Sequence, residues 1–264
     1  DIPRGRSLRL CRPLAGLSKD SIHKIRVVSK RRAESLPYGA VVLERLIEAG
    51  GIKDVVISAY GLREGLLYAR LPPAERARDP LTEYARANNA RQARVPGHAQ
   101  EMFDWTAPLF DGESGEAARI REASAFFSDI GWRRHPDDRA IGVFSQVLTA
   151  PFAGADHRAR ALIAASLYHR YCGDEDVPRA LTLAGLLEKD DEKRARILGL
   201  TWRFAFSLSA SAAGELSHYK LRLTPAKVVL DVPRKREAIA SEPVQKRLGE
   251  LADAMGRRGE ILVG

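Results

Sequence analysis

The sequence predicts a mainly helical protein that begins with an α/β segment and ends with a small α+β segment of hairpin and helix. Between residues 71 and 212, apolar residues recur at helical spacing in one segment after another. Residues 53–58 form a short run rich in β-branched residues between two predicted helices. Residues 219–230 alternate apolar and polar side chains about a turn, as a β-hairpin does. We therefore predict domains at 1–70, 71–212 and 213–264.

The first predicted domain contains two helices and a strand. Residues 1–18 show no clear period, and residues 18–34 predict a helix that is capped near Ser18. Residues 35–50 predict a second helix that ends in a left-handed cap at the Gly50-Gly51 pair. The predicted core face of this second helix consists of Val41, Val42, Leu43, Leu46 and Ile47.

The run at 53–58 predicts a buried strand. Because a single strand cannot satisfy its own backbone groups, we expect its sheet partners in sequence outside this chain. The first residue is Asp1 rather than Met, which also favours a chain that is part of a longer protein.

The other two predicted domains consist of helices and then a hairpin. The hairpin at 219–230 is followed by a charged linker at 233–242 and a final amphipathic helix at 243–257. Helices are predicted at residues 80–89, 97–110, 116–129, 137–148, 156–171, 177–187 and 191–208.

Charge and cysteine content narrow the class of protein. The net charge is +9, and residues 1–70 carry fourteen Lys and Arg against seven Asp and Glu. This excess predicts a surface that faces an anion, or simply a solvated basic helix. No aromatic-basic interleaving or zinc-finger spacing indicates a specific nucleic acid.

No apolar run reaches about 18 residues, so we predict no membrane span. Cys11 and Cys172 lack metal-ligand or redox spacing, which favours reduced thiols and a cytoplasmic location.

The pair Ser128-Asp129 is similar to the His-Asp pair of HD-type metal phosphohydrolases, with Ser in place of His. Those enzymes bind divalent ions through imidazole and carboxylate groups. Along the chain, one candidate ligand, His98, precedes the pair. Three further candidates follow it, namely His135, His157 and His169. One hypothesis is a weak metal site formed by His98 and Asp129. The alternative is a degenerate helical domain in which Asp129 caps or orients its neighbours, because a Ser leaves a standard site one ligand short. His169 is near a predicted helix C-terminus, where a protonated imidazole is favoured.

A second candidate site is the segment from Gly61 to Gly65, which follows the predicted strand and includes Arg63 and Glu64. Backbone amides at such a position can cradle a phosphate or nucleotide. The alternative is a tight turn that leaves a sheet, with Arg63 and Glu64 as an ion pair.

Two stretches together resemble the exopolyphosphatase / guanosine pentaphosphate phosphohydrolase (Ppx/GppA) family. The first is residues 30–46 with residues 56–65, which resemble the end of that family's second actin-like domain. The second is Ser128-Asp-Ile-Gly-Trp-Arg-Arg-His-Pro136, which resembles its HD-like helical domain. The hairpin and last helix look like its small C-terminal domain. The resemblance covers nearly the whole chain from about Ser18.

The resemblance implies a hydrolase that uses Mg²⁺ to remove terminal phosphates from inorganic polyphosphate, or the 5′ γ-phosphate from pppGpp (guanosine pentaphosphate). We find no counterpart of the family's catalytic Glu and Gly-rich phosphate loops, so the catalytic residues are expected outside this chain. The implied role of this portion is to support substrate binding and homodimerisation. By resemblance, the edge of the substrate cleft includes Gly61, Arg63 and Gly65. The residues that would guide a polyanion are Lys24, Lys30, Arg31, Arg32, Arg133 and Arg134.

Two other functions stay open at this point. One is an HD-type metal phosphohydrolase that uses His98 and Asp129. The other is a non-enzymatic module that binds a polyanion or nucleotide through the basic N-terminal end.

Overall fold

Helices dominate the computed structural model, which describes residues 2–26, 28–58, 60–178 and 185–264. The chain divides into two units, residues 1–76 and 77–264. The observed boundary lies a few residues after the predicted one at 70. No helix in the described ranges has the length and apolar character needed to cross a membrane.

The first unit contains short elements around one helix pair. α1 packs against α4, and the guanidinium of Arg12 joins them by hydrogen bonds of 2.9 Å to the carboxylates of Glu44 and Glu48. The elements are β1 (Ile2–Pro3), α1 (Arg4–Ala15), α2 (Lys19–His23), α3 (Lys30–Ala33), α4 (Leu36–Ala49), β2 (Asp54–Val55), α5 (Leu62–Ala69) and α6 (Pro73–Arg76).

The helices of this unit differ in part from the predicted ones. The segment without a clear period forms α1, and the single helix predicted over 18–34 is two short helices, α2 and α3. The cap at Ser18 is confirmed, because the Ser18 Oγ accepts a hydrogen bond from the Ser21 amide. α4 is also confirmed, and Gly51 has the left-handed φ of +58° that ends it.

The predicted core face of α4 is wrong for most of its members. Ile47 is fully buried, but the other side chains of that face (Val41, Val42, Leu43 and Leu46) are exposed. α4 packs against α1, and the buried residues of α4 are Ala40 and Ile47. An apolar face is buried only where another element packs on it.

The strand predicted at 53–58 is also shorter and more exposed than expected. Only Asp54 and Val55 are in β2, and Val56 and Ile57 are each 69% exposed. β2 pairs antiparallel with β1, with Ile2 opposite Val55. The prediction that its partners lie outside this chain is therefore wrong for these two residues.

The second unit confirms the predicted series of helices. Aspartate and serine side chains begin several of them: the Asp79, Ser114 and Asp156 side chains each accept a hydrogen bond from the amide three residues later. The predicted helix at 177–187 falls largely on residues 179–184, outside the described ranges. The helices are α7 (Pro80–Gln92), α8 (Gly97–Trp105), α9 (Gly115–Phe127), α10 (Arg139–Thr149), α11 (His157–Cys172), α12 (Lys189–Ser209) and α13 (Glu242–Ala254).

α11 runs through the centre of this unit and packs on both α10 and α12. A Cβ at Gly199 of α12 would lie 2.3 Å from the Ser166 carbonyl oxygen, so only glycine allows this close approach. The Trp202 indole is fully buried and donates to the Ser124 hydroxyl, which also bonds the Ser166 hydroxyl. The pair α11 and α12 therefore forms a rigid, close-packed base for the side chains at its end.

A three-stranded sheet completes the second unit. β3 (Lys220–Leu223) and β4 (Lys227–Val232) form the predicted antiparallel hairpin. β5 (Arg258–Val263), which the sequence analysis missed, pairs parallel with β4 after the α13 crossover. The sequence predicts a separate domain at 213–264, but the structure gives these elements and α7 to α12 one continuous hydrophobic core.

Candidate functional site

The pair Ser128-Asp129 lies just after the end of α9 and is buried. The Ser128 hydroxyl donates to the Ala125 carbonyl oxygen at 2.6 Å. The Asp129 carboxylate accepts from the Arg94 backbone amide at 2.9 Å and from the Arg94 guanidinium, with Nη2 to Oδ1 at 2.6 Å. Both Asp129 oxygens are therefore held by Arg94, and this contact raises the pKa of the guanidinium.

His98 on α8 is 2% exposed, and its Nε2 has no hydrogen-bond partner in the described ranges. Its ring meets Phe206 edge to face, with the centroids 5.0 Å apart. Burial lowers the pKa of His98, because the protonated form would lose its hydration. His98 is therefore a neutral side chain at neutral pH.

These residues do not fit a metal-binding site. In the Ser128-Asp129 pair, the Asp129 carboxylate is already neutralised by Arg94, and the Ser128 hydroxyl is bonded to the backbone. Within the described ranges, no group of three or more His, Cys, Asp or Glu side chains is arranged to hold a metal ion. Asp129 orients Arg94, which agrees with the structural role described above as the alternative to a metal site.

The other candidate histidines lie apart from one another. His135 and His157 are exposed. His169 is buried in the last turn of α11, and its Nδ1 lies 3.0 Å from the Gly173 carbonyl oxygen. Burial lowers the pKa of His169, which disfavours the protonated form that a helix C-terminus would stabilise.

The segment from Gly61 to Gly65 begins α5 rather than forming an open loop. Gly61 is its N-cap, and the Gly61 amide donates to the Glu64 carboxylate at 2.7 Å. Hydrogen bonds from the Glu64 and Gly61 amides lower the pKa of Glu64. An incoming phosphate would have to displace this carboxylate, and phosphate binding by Gly61, Arg63 and Gly65 stays a prediction.

The basic residues predicted to guide a polyanion are exposed. Arg133 lies over the Trp132 ring, with 4.9 Å between the guanidinium carbon and the ring centroid, and Arg134 donates to the Gln146 side chain. In the first unit the exposed basic side chains on and beside α2 and α3 are Lys24, Lys30, Arg31 and Arg32.

The second unit contains a polar cavity of about 470 Å³ that is not among the sites predicted from the sequence. We call it the arginine pocket. It lies where the last turns of α11 and α12 meet the start of α10, the turn after α9 and the middle of α13. Its lining residues are Arg94, Trp132, Pro136, Arg139, Arg170, Tyr171, Arg203, Phe206, Ser207, Ser211 and Arg247.

The arginines of the pocket differ in their partners. Arg94 is paired with Asp129, and Arg247 is paired with Glu250 at 2.8 Å. Arg139 donates to the Trp132 and Arg134 carbonyl oxygens, and Arg203 to those of Tyr171 and Arg170. In the part of the chain that the structure describes, no ion pair joins Arg139, Arg170 or Arg203 to a carboxylate.

Arg170 is held mainly by an aromatic ring. Its guanidinium carbon lies 3.9 Å from the Phe206 ring centroid, and the Arg94 guanidinium lies 5.6 Å from the same ring. Among the residues that the structure describes, the buried Nε atoms of Arg170 and Arg203 have no hydrogen-bond partner. Burial lowers the pKa of Arg170 to about 10. Burial also lowers the pKa of Arg203.

The segment around Ser128-Asp129 builds one wall of this pocket. The Tyr171 hydroxyl donates to the Ser128 carbonyl oxygen at 3.0 Å and accepts from the Gly131 amide at 3.2 Å. Asp129 orients Arg94, and Trp132 lines the cavity. Beside Arg203, Gly173 has a φ of +86°, and a Cβ there would lie 3.3 Å from Arg203 Nε. The stretch that first resembled a metal motif thus supports a cationic pocket.

Two comparisons with known proteins agree with this structure. Residues 84–262 match the family described as "Exopolyphosphatase, C-terminal", and residues 1–74 match the Ppx/GppA phosphatase family. The chain is also 32% identical over 203 residues to Retrograde regulation protein 2 of Saccharomyces cerevisiae, an alignment that covers 74% of this chain and 34% of that protein. The chain thus spans about a third of the length of this curated relative. The matches over both units show that the chain belongs to the Ppx/GppA family and corresponds to its C-terminal part.

Proposed function

We propose that this chain is the C-terminal portion of an exopolyphosphatase-like hydrolase that releases terminal phosphate from inorganic polyphosphate. The observation that carries the proposal is the match of residues 84–262 to the exopolyphosphatase C-terminal family. The role of this portion is to bind the polyanion and to support a homodimer. The 5′ γ-phosphate of pppGpp is the alternative substrate within the same reaction class.

Two kinds of cationic surface support polyanion binding. The exposed basic side chains of the first unit, such as Lys30, Arg31 and Arg32, attract an anion from a distance, and salt screens that attraction. The arginine pocket of the second unit supplies half-buried guanidinium groups, which hydrogen-bond phosphate oxygens directly. The Mg²⁺ and the catalytic Glu expected from the resemblance would act outside the residues described here.

The test is phosphate release by a longer form of the protein that contains this chain and the residues before it. With Mg²⁺ and long-chain polyphosphate, we expect orthophosphate release, and the 264-residue chain alone is expected to release none. A parallel assay with pppGpp separates the two substrates. Failure of the longer protein to hydrolyse either substrate would show that the proposal is wrong.

A non-enzymatic role in binding a polyanion or nucleotide is the second candidate. The relative in Saccharomyces cerevisiae is named for retrograde regulation, and the arginine pocket requires no catalytic group in order to bind an anion. This candidate predicts polyphosphate binding by the longer protein without any turnover. The hydrolysis assay therefore decides between the two.

A further inference from the structure

Within the described part of the chain, three cationic side chains of the arginine pocket have no carboxylate partner. Elsewhere in the second unit, well-buried ion pairs satisfy their charges, as in the contact between Arg121 and Glu113 at 2.7 Å. In the pocket, Arg139 and Arg203 bond neutral carbonyl oxygens and Arg170 lies on an aromatic ring. We infer that the arginine pocket is a binding site for a short inorganic phosphate anion, whose oxygens meet the guanidinium groups directly and without a bridging metal ion.

The charge of the pocket favours an anion with several negative charges. Three guanidinium groups lining one cavity repel one another, and an oligophosphate placed among them replaces this repulsion with attraction. Each guanidinium offers a planar fork of donors that matches two oxygens of a phosphoryl group. The Ser207 and Ser211 hydroxyls line the same cavity and can donate to further oxygens.

The size and rigidity of the pocket suit a compact ligand. Its volume of about 470 Å³ falls within the usual range of small-molecule sites. Phe206 is 6% exposed and lies on the close-packed helix α12, so it fixes the guanidinium of Arg170 before the ligand arrives. A site that is already ordered loses less conformational entropy when it binds.

The carboxylates near the pocket are not available as metal ligands, because each of them is bonded to an arginine. Asp129 is engaged by Arg94 through both oxygens, and Glu250 is engaged by Arg247. A divalent cation in the pocket would therefore meet guanidinium groups rather than free oxygen ligands. Added Mg²⁺ would bind the oligophosphate in solution and compete with the pocket for it.

The inference rests on the proposed phosphate-binding role of this portion, and it specifies where and how that binding occurs. It is independent of hydrolysis. A longer protein without phosphatase activity would still contain the pocket, and a chain that binds phosphate elsewhere could still belong to a hydrolase. The binding experiment and the hydrolysis assay can therefore contradict the two proposals independently of each other.

The experiment is calorimetric titration of the 264-residue chain with tripolyphosphate, in EDTA and again with excess Mg²⁺. We expect binding in EDTA that weakens when Mg²⁺ is added. Arg139→Gln should lower the affinity about tenfold or more, because it removes a charged fork of donors. The matched control is Arg258→Gln, which removes an exposed charge on β5 and should change the affinity less than about twofold.

Folding and ligand source are controlled in the same series. Arg139→Lys keeps the charge but not the fork, so an affinity between those of the wild type and Arg139→Gln is expected. Circular dichroism establishes that each variant is folded. Titration with orthophosphate separates two kinds of site. A site for the free ion would bind orthophosphate as tightly as tripolyphosphate. We expect a site for a phosphate chain, which binds orthophosphate more weakly than tripolyphosphate. Binding that requires Mg²⁺, or equal losses in Arg139→Gln and Arg258→Gln, would overturn the inference.

Discussion

Residues 1–76 and 77–264 carry apolar sequence patterns of similar kind, but they bury them to very different extents. In the second unit, Phe127 and Trp202 lie at helical spacing with other apolar residues and are almost fully buried. In the first unit, Leu62 is 91% exposed, and Val42 is 57% exposed although it belongs to an apolar run. The difference shows that periodicity predicts which side of an element is apolar, while burial depends on whether another element packs there.

The same contrast holds for positive charge. The first unit has the larger excess of basic residues, and its candidates Lys30, Arg31 and Arg32 are exposed. The second unit is nearly balanced in charge but brings half-buried arginines from distant segments into one cavity. The charge of a sequence segment therefore predicts where exposed cations lie. It does not predict the arginine pocket, because the fold brings those arginines together.

The largest expected difference between the units is in core stability. Phe127→Ala removes a side chain that is 1% exposed and should lower the free energy of unfolding by about 3–5 kcal/mol. Leu62→Ala in the first unit should change it by less than about 0.5 kcal/mol. Urea unfolding followed by circular dichroism measures both. Similar losses from the two substitutions would contradict the contrast in burial.

A smaller effect is expected from the pair that supports the pocket. Asp129→Asn removes the charged acceptor of Arg94 and should lower the free energy of unfolding by about 2 kcal/mol. Arg94→Gln should have a similar effect, and the double substitution should cost less than the sum, because both single changes break the same contact. Strict additivity would contradict this role. The metal content of the purified chain is expected to be the same with and without Asp129→Asn.

The smallest expected effect is a change in the pH dependence of stability. Burial holds the pKa of His98 below its ordinary value of 6.5, so the unfolded chain takes up a proton over a range in which the folded chain does not. The free energy of unfolding should therefore fall as the pH drops below about 6.5, and buried His169 acts in the same direction. In His98→Gln the fall between pH 7.5 and pH 5.5 should be smaller. An unchanged slope in urea unfolding at these two pH values would show that His98 does not contribute.

Local signals in the sequence predicted most of the second unit. Caps such as Ser114 and Asp156 act within three residues of a helix start, so the sequence alone places those starts. β5 was missed because its parallel pairing with β4 depends on a crossover through α13 and leaves little local pattern.

The candidate site was harder to predict than the fold. Its arginines lie at positions 94, 139, 170, 203 and 247, and each one alone resembles an ordinary surface residue. Arg170 was the best available signal, because it ends the otherwise apolar, buried stretch of α11. Asp129 was identified through a motif that is similar to a metal site, and the tertiary structure places Arg94 on its carboxylate.

The most direct test of the account compares two charge-matched variants in tripolyphosphate titrations without metal. Arg139→Gln/Arg203→Gln removes two pocket charges, and Arg31→Gln/Arg32→Gln removes two exposed charges of the first unit. We predict an affinity loss of about 100-fold for the first variant, and of less than about threefold at 0.15 M salt for the second. A greater loss from the exposed pair than from the pocket pair would contradict the account.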